Sequence, residues 1–544
     1  MAVVAIKSFG GIAPKIPPRY LKDNQAQTAL NCPVFAGSIQ AIQDMGSSLL
    51  TLQKSGTIKT IYRYGQDNIS DTQHWFHWPA EVDVCRSQIA GDTSEWTFFT
   101  GDGAPKATHS GIALAGSNYP AASRPLGLPA PTAAASAVVS GDVVDTETTE
   151  TRVYTYTFVN KEAGREIESA PAPASTSVDV RTSQTVTMNN FASLPGSGYI
   201  VTHKRIYRST AGVFLLVDEI PAAQSSYADT VDPDALQEEI PSLYWAEPPA
   251  ALKGLINLPN GMMAGFVGRD LYFCEPYRPH AWPENYILTV DYPVVGLGRM
   301  DTTLAVLTTG NPYFVQGSHP SNMAVVKSDL EQACVSKESI VSFGGGVIYA
   351  APDGLMLLSP GGSKIITDQY FSFKQWQAYF KPETIHAYQQ DNQYIAFFDN
   401  DTTQGGFIFD ITSRQFILHD MYATAGFQDI QRDKLFLTFA DKKLKVWQGG
   451  AAKSYIWRSK KFTMPMDMGF ACAQLEAEAY PTGDAAMTMK FYADGTLVHT
   501  QTVQSRNPFR LPAKRGRDWE IQVEGATEVF SIAMANSMTE LANG

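Results

Sequence analysis

Between residues 251 and 450 one pattern keeps returning: an apolar strand-like run, a tight turn, a second strand-like run, then a longer polar stretch. Met262–Val267 and Leu271–Cys274 flank Gly268-Arg269-Asp270; Leu304–Thr308 and Tyr313–Gln316 flank Gly310-Asn311; Gly346–Ala350 and Leu355–Leu358 flank Pro352-Asp353-Gly354. Tyr394–Phe398, a loop from Asp399 to Gly406, Phe407–Asp410 and Gln415–Leu418 form the fourth case, and Leu435–Phe439 with Lys443–Trp447 around Asp441-Lys442 the fifth. Hairpins returning at a spacing of roughly 40 residues are the mark of an array in which each small sheet packs on its neighbours, and the pattern predicts a β-propeller. No strict dipeptide signature repeats, so its blades are expected to be irregular.

The rest of the chain also reads as strand. Thr57–Tyr64, His74–Trp78 and Trp96–Thr100 are short and rich in aromatic or β-branched residues, the composition that suits a pleated, half-buried surface. A Pro/Ala-rich stretch, Tyr119–Ala135, follows as a linker, because proline gives no backbone donor to a ladder. Val153–Val159, Gln184–Met188, Lys204–Arg208, Val213–Val217 and Ser226–Asp229 then supply short strands separated by turn signals, which predicts an antiparallel sandwich of fibronectin type III character. Trp245–Ala250 is a second linker, and Phe371–Phe380 reads as a helix interrupting the strands. Beyond 451, an Ala-Asp-Gly turn between Met489–Tyr492 and Thr496–His499 marks a hairpin in a terminal antiparallel domain.

The expected class is therefore all-β: an irregular β-propeller with an inserted fibronectin type III-like β-sandwich and a C-terminal antiparallel β domain. Its expected boundaries are an N-terminal segment with the first blade or blades (1–118), a linker (119–136), the inserted sandwich (137–245), the main propeller (251–450) and the C-terminal domain (451–544).

Charge narrows the function. The 544 residues are only 18% charged and carry a net −12, against a usual charged share of about 25%. Such a balance opposes attraction to phosphate backbones and anionic lipid surfaces. Cys32, Cys85, Cys274, Cys334 and Cys472 are odd in number and widely spaced, so buried reduced thiols are expected rather than a disulfide framework or zinc ribbon. The first eleven residues are too short of apolar length for a signal-peptide core, no Sec export is expected, and no apolar run is long enough to span a membrane.

Chemistry-bearing motifs are sparse. No G-x-S-x-G, HExxH, EF-hand loop, Walker A or strand-linked G-x-G-x-x-G occurs, so no catalytic, cofactor-binding or metal residue is assigned and the chain is expected not to be an enzyme. His74 and His77, three apart on a strand, should point to opposite faces, one packed and one exposed. Gly344-Gly345-Gly346 precedes a strand and reads as a turn rather than a phosphate cradle. Asp399, Asp401, Asp429 and Asp433 read as solvated loop-tip acids. Lys514, Arg515 and Arg517 form the one conspicuous basic cluster, an exposed loop or an ion-pairing surface at a subunit or partner contact. The alternative function class is a carbohydrate-binding or glycan-cleaving propeller, although sialidase-type loops are missing.

Ser8-Phe9-Gly10-Gly11-Ile12-Ala13-Pro14, Pro17-Pro18, Asn24–Cys32 (NQAQTALNC) and Gly37-Ser38-Ile39, together with Leu271–Pro283 (LYFCEPYRPHAWP), resemble segments of the tail tubular protein B, or nozzle, family of short-tailed bacteriophages. The resemblance implies a structural virion protein assembled in the host cytoplasm. It implies a homo-oligomeric, six-fold ring at the end of the tail, stacked below an adaptor ring protein and holding tail fibres or ejection proteins, with DNA passing through transiently. Six copies at −12 each would carry roughly −72 formal charges, which would repel rather than trap a translocating duplex. Asp399 and Asp401, beside Gly405 and Gly406 as flexible residues, are the candidates for a channel loop or gate; Lys514, Arg515 and Arg517 are the candidates for the interface. No catalytic motif lies in the resembling segments, and the inserted sandwich departs from the family pattern.

Overall fold

Runs of alternating or wholly apolar residues, punctuated by Gly, Asp and Asn, become short antiparallel strands almost everywhere in the computed structural model, which describes residues 3–65, 70–196 and 198–543. Strand accounts for 43% against 7% helix among the described residues, so the all-β expectation holds. The chain divides into two units, Met1–Arg63 with Leu307–Pro312 and Ser328–Gly544, and Tyr64–Val306 with Tyr313–Lys327.

In the first unit, Val341–Phe343, Gly346–Ala351, Gly354–Leu358 and Lys364–Ile365 form a four-stranded meander in chain order. Gly344, with φ +51°, serves its first turn, as the glycine run predicts. His386–Gln390, Gln393–Asp399, Gln404–Asp410 and Phe416–His419 form a second meander. In a third sheet Ala425–Asp429, Lys434–Thr438 and Lys443–Val446 are joined on the outer edge by Leu50–Thr51. The helix expected near 371–380 is present as Phe373–Phe380. Ser372 caps it by accepting from the Gln375 N–H, and Gln375 reaches back to the Ser372 N–H, so two orphan donors are satisfied at once. Trp376 and Phe380 are its buried face, and Trp376 Nε1 donates to Ala351 O at 3.0 Å.

Early strands are stitched to late ones. Val3–Ile6 pairs antiparallel with Val529–Ala535. Ala26–Leu30 lies beside Tyr455–Ser459 on one side and meets Leu418 through Leu30 on the other, so it joins the second meander to the C-terminal sheet. One hydrophobic cluster runs through this unit, from Phe9 and Ile12 through Phe407, Phe416 and Trp457 to Ile521 and Met534. The Ala-Asp-Gly hairpin forms as expected: Met487–Ala493 pairs with Thr496–Val503, with Asp494 and Gly495 both at positive φ.

The second unit repeats the meander theme. Asp83–Arg86, Thr97–Thr100, Lys106–Thr108 and Arg124–Pro125 form one sheet; Lys253–Asn257, Met263–Val267, Asp270–Phe273 and Leu288–Thr289 form another. Between them in sequence, Arg165–Glu168, Tyr154–Glu162, His203–Thr210 and Val213–Pro221 make a four-stranded sheet, and Ser136–Ser140, Thr185–Asn189 and Tyr227–Asp229 a three-stranded one. Both contribute to one core built on Tyr154, Tyr156, Phe158, Val186, Met188 and Ile206. Beside this core the Arg208 guanidinium, fully buried, meets Asp229 at 2.7 Å; Tyr154 Oη also donates to Asp229 at 2.7 Å and Arg152 stands 3.6 Å away. Burial raises the Tyr154 phenol, and the Asp229 carboxylate that it serves raises it further.

Removing one partner of a buried ion pair leaves the other charge uncompensated. Asp229→Ala is therefore expected to destabilise the chain by about 3–5 kcal/mol in urea unfolding monitored by circular dichroism. A side chain on Gly11 would collide with the Phe416 carbonyl oxygen, and Gly11→Ala should cost about 1–3 kcal/mol in the same measurement, because backbone and not a flexible side chain must move.

Candidate interaction surface

The basic loop of the C-terminal sheet is built on backbone constraints. Leu511 donates its N–H to Ala471 O at 2.9 Å as the chain leaves Phe509–Arg510, Pro512 supplies no N–H, and Lys514 N–H folds back onto Pro512 O at 2.8 Å. The chain then enters Gly516–Gly525. At that entry Asp494 Oδ1 accepts the N–H groups of Arg517 and Asp518 at 3.0 and 2.9 Å, so this carboxylate is engaged with backbone. Lys514, Arg515 and Arg517 are all exposed, and none of their side-chain nitrogens has a hydrogen bond or ion pair among the described residues.

The acids beneath the loop are engaged as well. Asp518 accepts Arg19 Nη2 at 2.6 Å and Thr463 Oγ1 at 2.7 Å. Burial alone would raise its carboxyl, but the hydrogen bonds from Thr463 and Arg19 outweigh burial and hold it below the usual carboxylate range. Glu520, fully buried, receives Arg458 Nη2 at 2.8 Å and Gln27 Nε2 at 2.6 Å, with Lys461 3.8 Å away. Arg19 and Lys461 are thus directed to these two carboxylates, and Lys514, Arg515 and Arg517 remain as the exposed basic face of the loop on a chain that is acidic overall. Next to it lies the edge strand Phe462–Met468, paired to the 516–525 strand with a register shift that leaves Pro465, Met466 and Asp467 exposed. Sequence reading misses Arg19 and Lys461; the Lys460-Lys461 pair was the available signal, but its place beside Asp518 and Glu520 depends on pairing across more than fifty residues.

The two acidic candidates lie elsewhere in the same unit, on the turn between Gln393–Asp399 and Gln404–Asp410. Asp401, at φ +68°, pairs with Lys381 Nζ at 2.6 Å. Asp399 accepts the Asp401 N–H through Oδ1 and Gln404 Nε2 at 2.8 Å through Oδ2; the Gln404 bond lowers its carboxyl below the ordinary value. Asn400 Oδ1 holds the Thr402 and Thr403 N–H groups. Gly405 and Gly406, expected as flexible residues beside the turn, belong to the strand Gln404–Asp410. They are strand residues opposite Phe398 and Phe397, and a Cβ on Gly406 would collide with the His419 imidazole and the Ala396 carbonyl oxygen. Close packing is what glycine provides there. No hydrogen bond or ion pair links this acidic turn to the basic loop among the described residues.

Two further readings change. Asp429 is not a solvated tip: it is buried, and Arg63 meets it at 2.6 Å and Arg432 at 3.0 Å. His77 is the packed member of its pair, with Nδ1 3.0 Å from Trp75 O, whereas His74 is half-buried, edge-on to Tyr119, at φ +59° just before the strand Trp75–Trp78. The five cysteines are free and buried, as their spacing suggests, and burial pushes the Cys32, Cys85, Cys274 and Cys334 thiols up. Among the described residues no group of three or more His, Cys, Asp or Glu could hold a metal ion, and no helix is long and apolar enough to cross a membrane.

No protein-family description matches the chain, and no curated protein matches it. Among solved structures it is similar to the extracellular domain of a candidate one-component system from B. thetaiotaomicron, at 10% identity and a TM-score of 0.27, over 84% of this chain and 47% of that one. The chain thus spans about half the length of that structure. It is also similar to PorZ, a surface component of the type-IX secretion system of Porphyromonas gingivalis, at 10% identity and a TM-score of 0.25, over 89% and 82%. Likenesses at this level carry no argument about function.

Asp518 gives the basic face a pH signature. Its carboxyl is lowered in the folded chain, so its stabilising contribution is complete above the unfolded carboxylate value of about 4 and is lost as pH falls through the lower folded value. In acid titration followed by tryptophan fluorescence, Asp518→Asn should lose less stability than the natural chain between pH 5 and roughly pH 2.

Proposed function

We propose that this chain is a structural, non-enzymatic virion protein that forms the ring-shaped nozzle of a short phage tail, a conduit for DNA ejection and a platform for fibres. In this reading the four-stranded meanders are blades of an irregular propeller, and the two-sheet module at 136–229 is a fibronectin type III-like insertion. The observation that carries the reading is the basic face. Three exposed cations without partners among the described residues, on a chain of net −12, make a surface suited to an acidic patch on a neighbour. Closed rings need two different patches that meet head to tail; Lys514, Arg515 and Arg517 are the candidates for one of them, and the turn at 399–401, where Asp401 pairs with Lys381, is the candidate channel loop. The opening segment that resembles nozzle proteins supports the reading independently. A ring of acidic copies would repel DNA phosphates and let a duplex slide with few attractive traps, an effect that salt screens over about 8–10 Å. Partners in the assembled tail would be copies of this chain in a six-fold ring, an adaptor ring and fibre or ejection proteins.

Rings are expected in negative-stain images of the purified chain mixed with its neighbouring tail proteins at low salt. Their number should fall at least tenfold when Lys514, Arg515 and Arg517 are all changed to Glu, with the melting temperature unchanged. A chain that stays monomeric with those partners and is missing from particles overturns the reading, and turnover of a polysaccharide would favour the glycan-active class instead.

A further inference from the structure

Arg165 makes no ion pair among the described residues. It follows the two-residue turn Ala163-Gly164, both at positive φ, which joins Tyr154–Glu162 to Arg165–Glu168. Trp96 Nε1 donates to Ala163 O at 3.2 Å and docks this hairpin tip. The Arg165 guanidinium lies 4.8 Å from the Phe98 ring centroid and 5.8 Å from that of Trp96. Its Nη1 is sealed from solvent with no hydrogen-bond partner, and no ion pair or hydrogen bond reaches the side chain among the described residues. Burial draws the guanidinium down to about 10, with the charge of Asp92 opposing the shift.

The nearby acids are already engaged. Asp92 accepts the Ser94 N–H at 3.1 Å and the Trp96 N–H at 3.0 Å; Glu162 meets Arg124 at 3.2 Å and His109 at 3.5 Å; Glu95 meets Arg86 at 3.6 Å. Beside the guanidinium opens a cavity of about 300 Å³, lined by the 87–94 loop, Trp96 and the Ala163–Arg165 tip. Hydroxyl-bearing Ser87, Thr93 and Ser94 are part of that lining. His280, which feels the Arg165 charge, is buried with neither ring nitrogen hydrogen-bonded, and its imidazole is lowered by burial first and by Arg165 and Arg278 after it. Asp92 is the carboxylate in that lining, and both of its oxygens are held by backbone N–H groups rather than by the Arg165 guanidinium.

We propose that this cavity binds a small oxyanion-bearing ligand, a carboxylate or a phosphate ester, whose charged oxygens pair with Arg165. Arg165 as a whole is half-buried, but a guanidinium donor sealed from solvent without a partner is costly, and a well-placed anion removes that cost. The planar guanidinium presents its donors in a fork that fits two oxygens of one carboxylate or phosphate. The faces of Phe98 and Trp96 hold it in place while leaving its edge free to donate. The cavity stands at the lower end of the range for small-molecule sites and has more room than a lone ion fills, so the anionic group comes with an organic remainder. The site lies within one unit of the chain and does not rest on the ring reading.

The test is isothermal titration of the full-length chain with inorganic phosphate and with citrate at fixed ionic strength, with chloride as control, and with folding checked by circular dichroism. Saturable binding of either probe is expected, weakened at least tenfold in Arg165→Met and partly kept in Arg165→Lys, while the melting temperature of Arg165→Met without ligand does not fall. Absence of saturable binding to both probes overturns the proposal, as does equal binding by Arg165→Met. A fall in the melting temperature of Arg165→Met with no response to either probe in the natural chain would make Arg165 a packing strut instead. If Arg165→Met does not fold, Arg165→Lys decides: binding as tight as that of the natural chain overturns the paired-oxygen geometry.

Discussion

The first unit depends on a backbone contact that leaves no room for a side chain. Gly11 lies against the Phe416 carbonyl, whose oxygen accepts the Ile12 N–H at 2.9 Å, while Gln415 Oε1 accepts the Gly11 N–H at 2.8 Å. One residue earlier, Gly10 O receives Trp457 Nε1 at 3.1 Å, and Phe9 packs edge-on against the same indole at 5.0 Å between ring centroids. Four consecutive residues thus hold the last strand of one meander and the first long strand of the C-terminal sheet, and Ala26–Leu30 extends the join by pairing with both. The partners of the indole bond are 447 residues apart. Loop-closure entropy grows slowly with length, so such a contact is thermodynamically tolerable, but its high sequence separation predicts slow folding for this part of the chain.

A second constraint is the handling of carboxylates. Glu168 illustrates it: Thr157 and Tyr207 donate to one oxygen, Arg205 to the other, and Ser242 approaches at 3.2 Å. Asp229, Asp429 and Glu520 are held in the same manner by arginines and neutral donors. Breaking any of these clusters is costlier than forming it is rewarding, because the desolvation of the remaining charges persists. With so many acids turned inward against arginines, the charge that meets solvent need not follow the sign of the whole chain. The basic face around Lys514, Arg515 and Arg517 arises in that way.

Local patterns were legible and distant partners were not. The run from Tyr154, the alternation from Met487 and the Asp494-Gly495 turn each gave a strand or hairpin where one stands, since side-chain period and turn chemistry are local. The dense aromatics of 373–380 form a helix because Ser372 and Gln375 make a capping box, a signal also present in sequence. Gly405 and Gly406 misled because a glycine pair after polar residues looks like a hinge; only their register opposite Phe397 and Phe398 reveals a packing role. Asp429 misled for a similar reason, its partner Arg63 being 366 residues away. The strands Val3–Ile6 and Leu50–Thr51 join sheets near the other end of the chain, which no window of sequence can show. Among site residues, the basic run was visible as composition, whereas nothing local in the sequence marks Arg165, which is distinguished only by Trp96 and Phe98 brought beneath it by the fold.

How the basic loop is held also decides what it can contribute. Its flexible side chains stand on a backbone fixed at Ala471, at Pro512 and by the Asp494 carboxylate, so less freedom is lost when a neighbour arrives than if the loop itself had to order. Charges at the rim of a contact mainly speed encounter and set register, and salt weakens them within a Debye length. In the proposed ring, lasting association would have to come from apolar contact next to them, and the exposed Pro465-Met466 stretch of the adjoining edge strand would be the surface to supply it. Proline there also withholds one donor from an open ladder, which favours side-chain docking over unlimited strand addition.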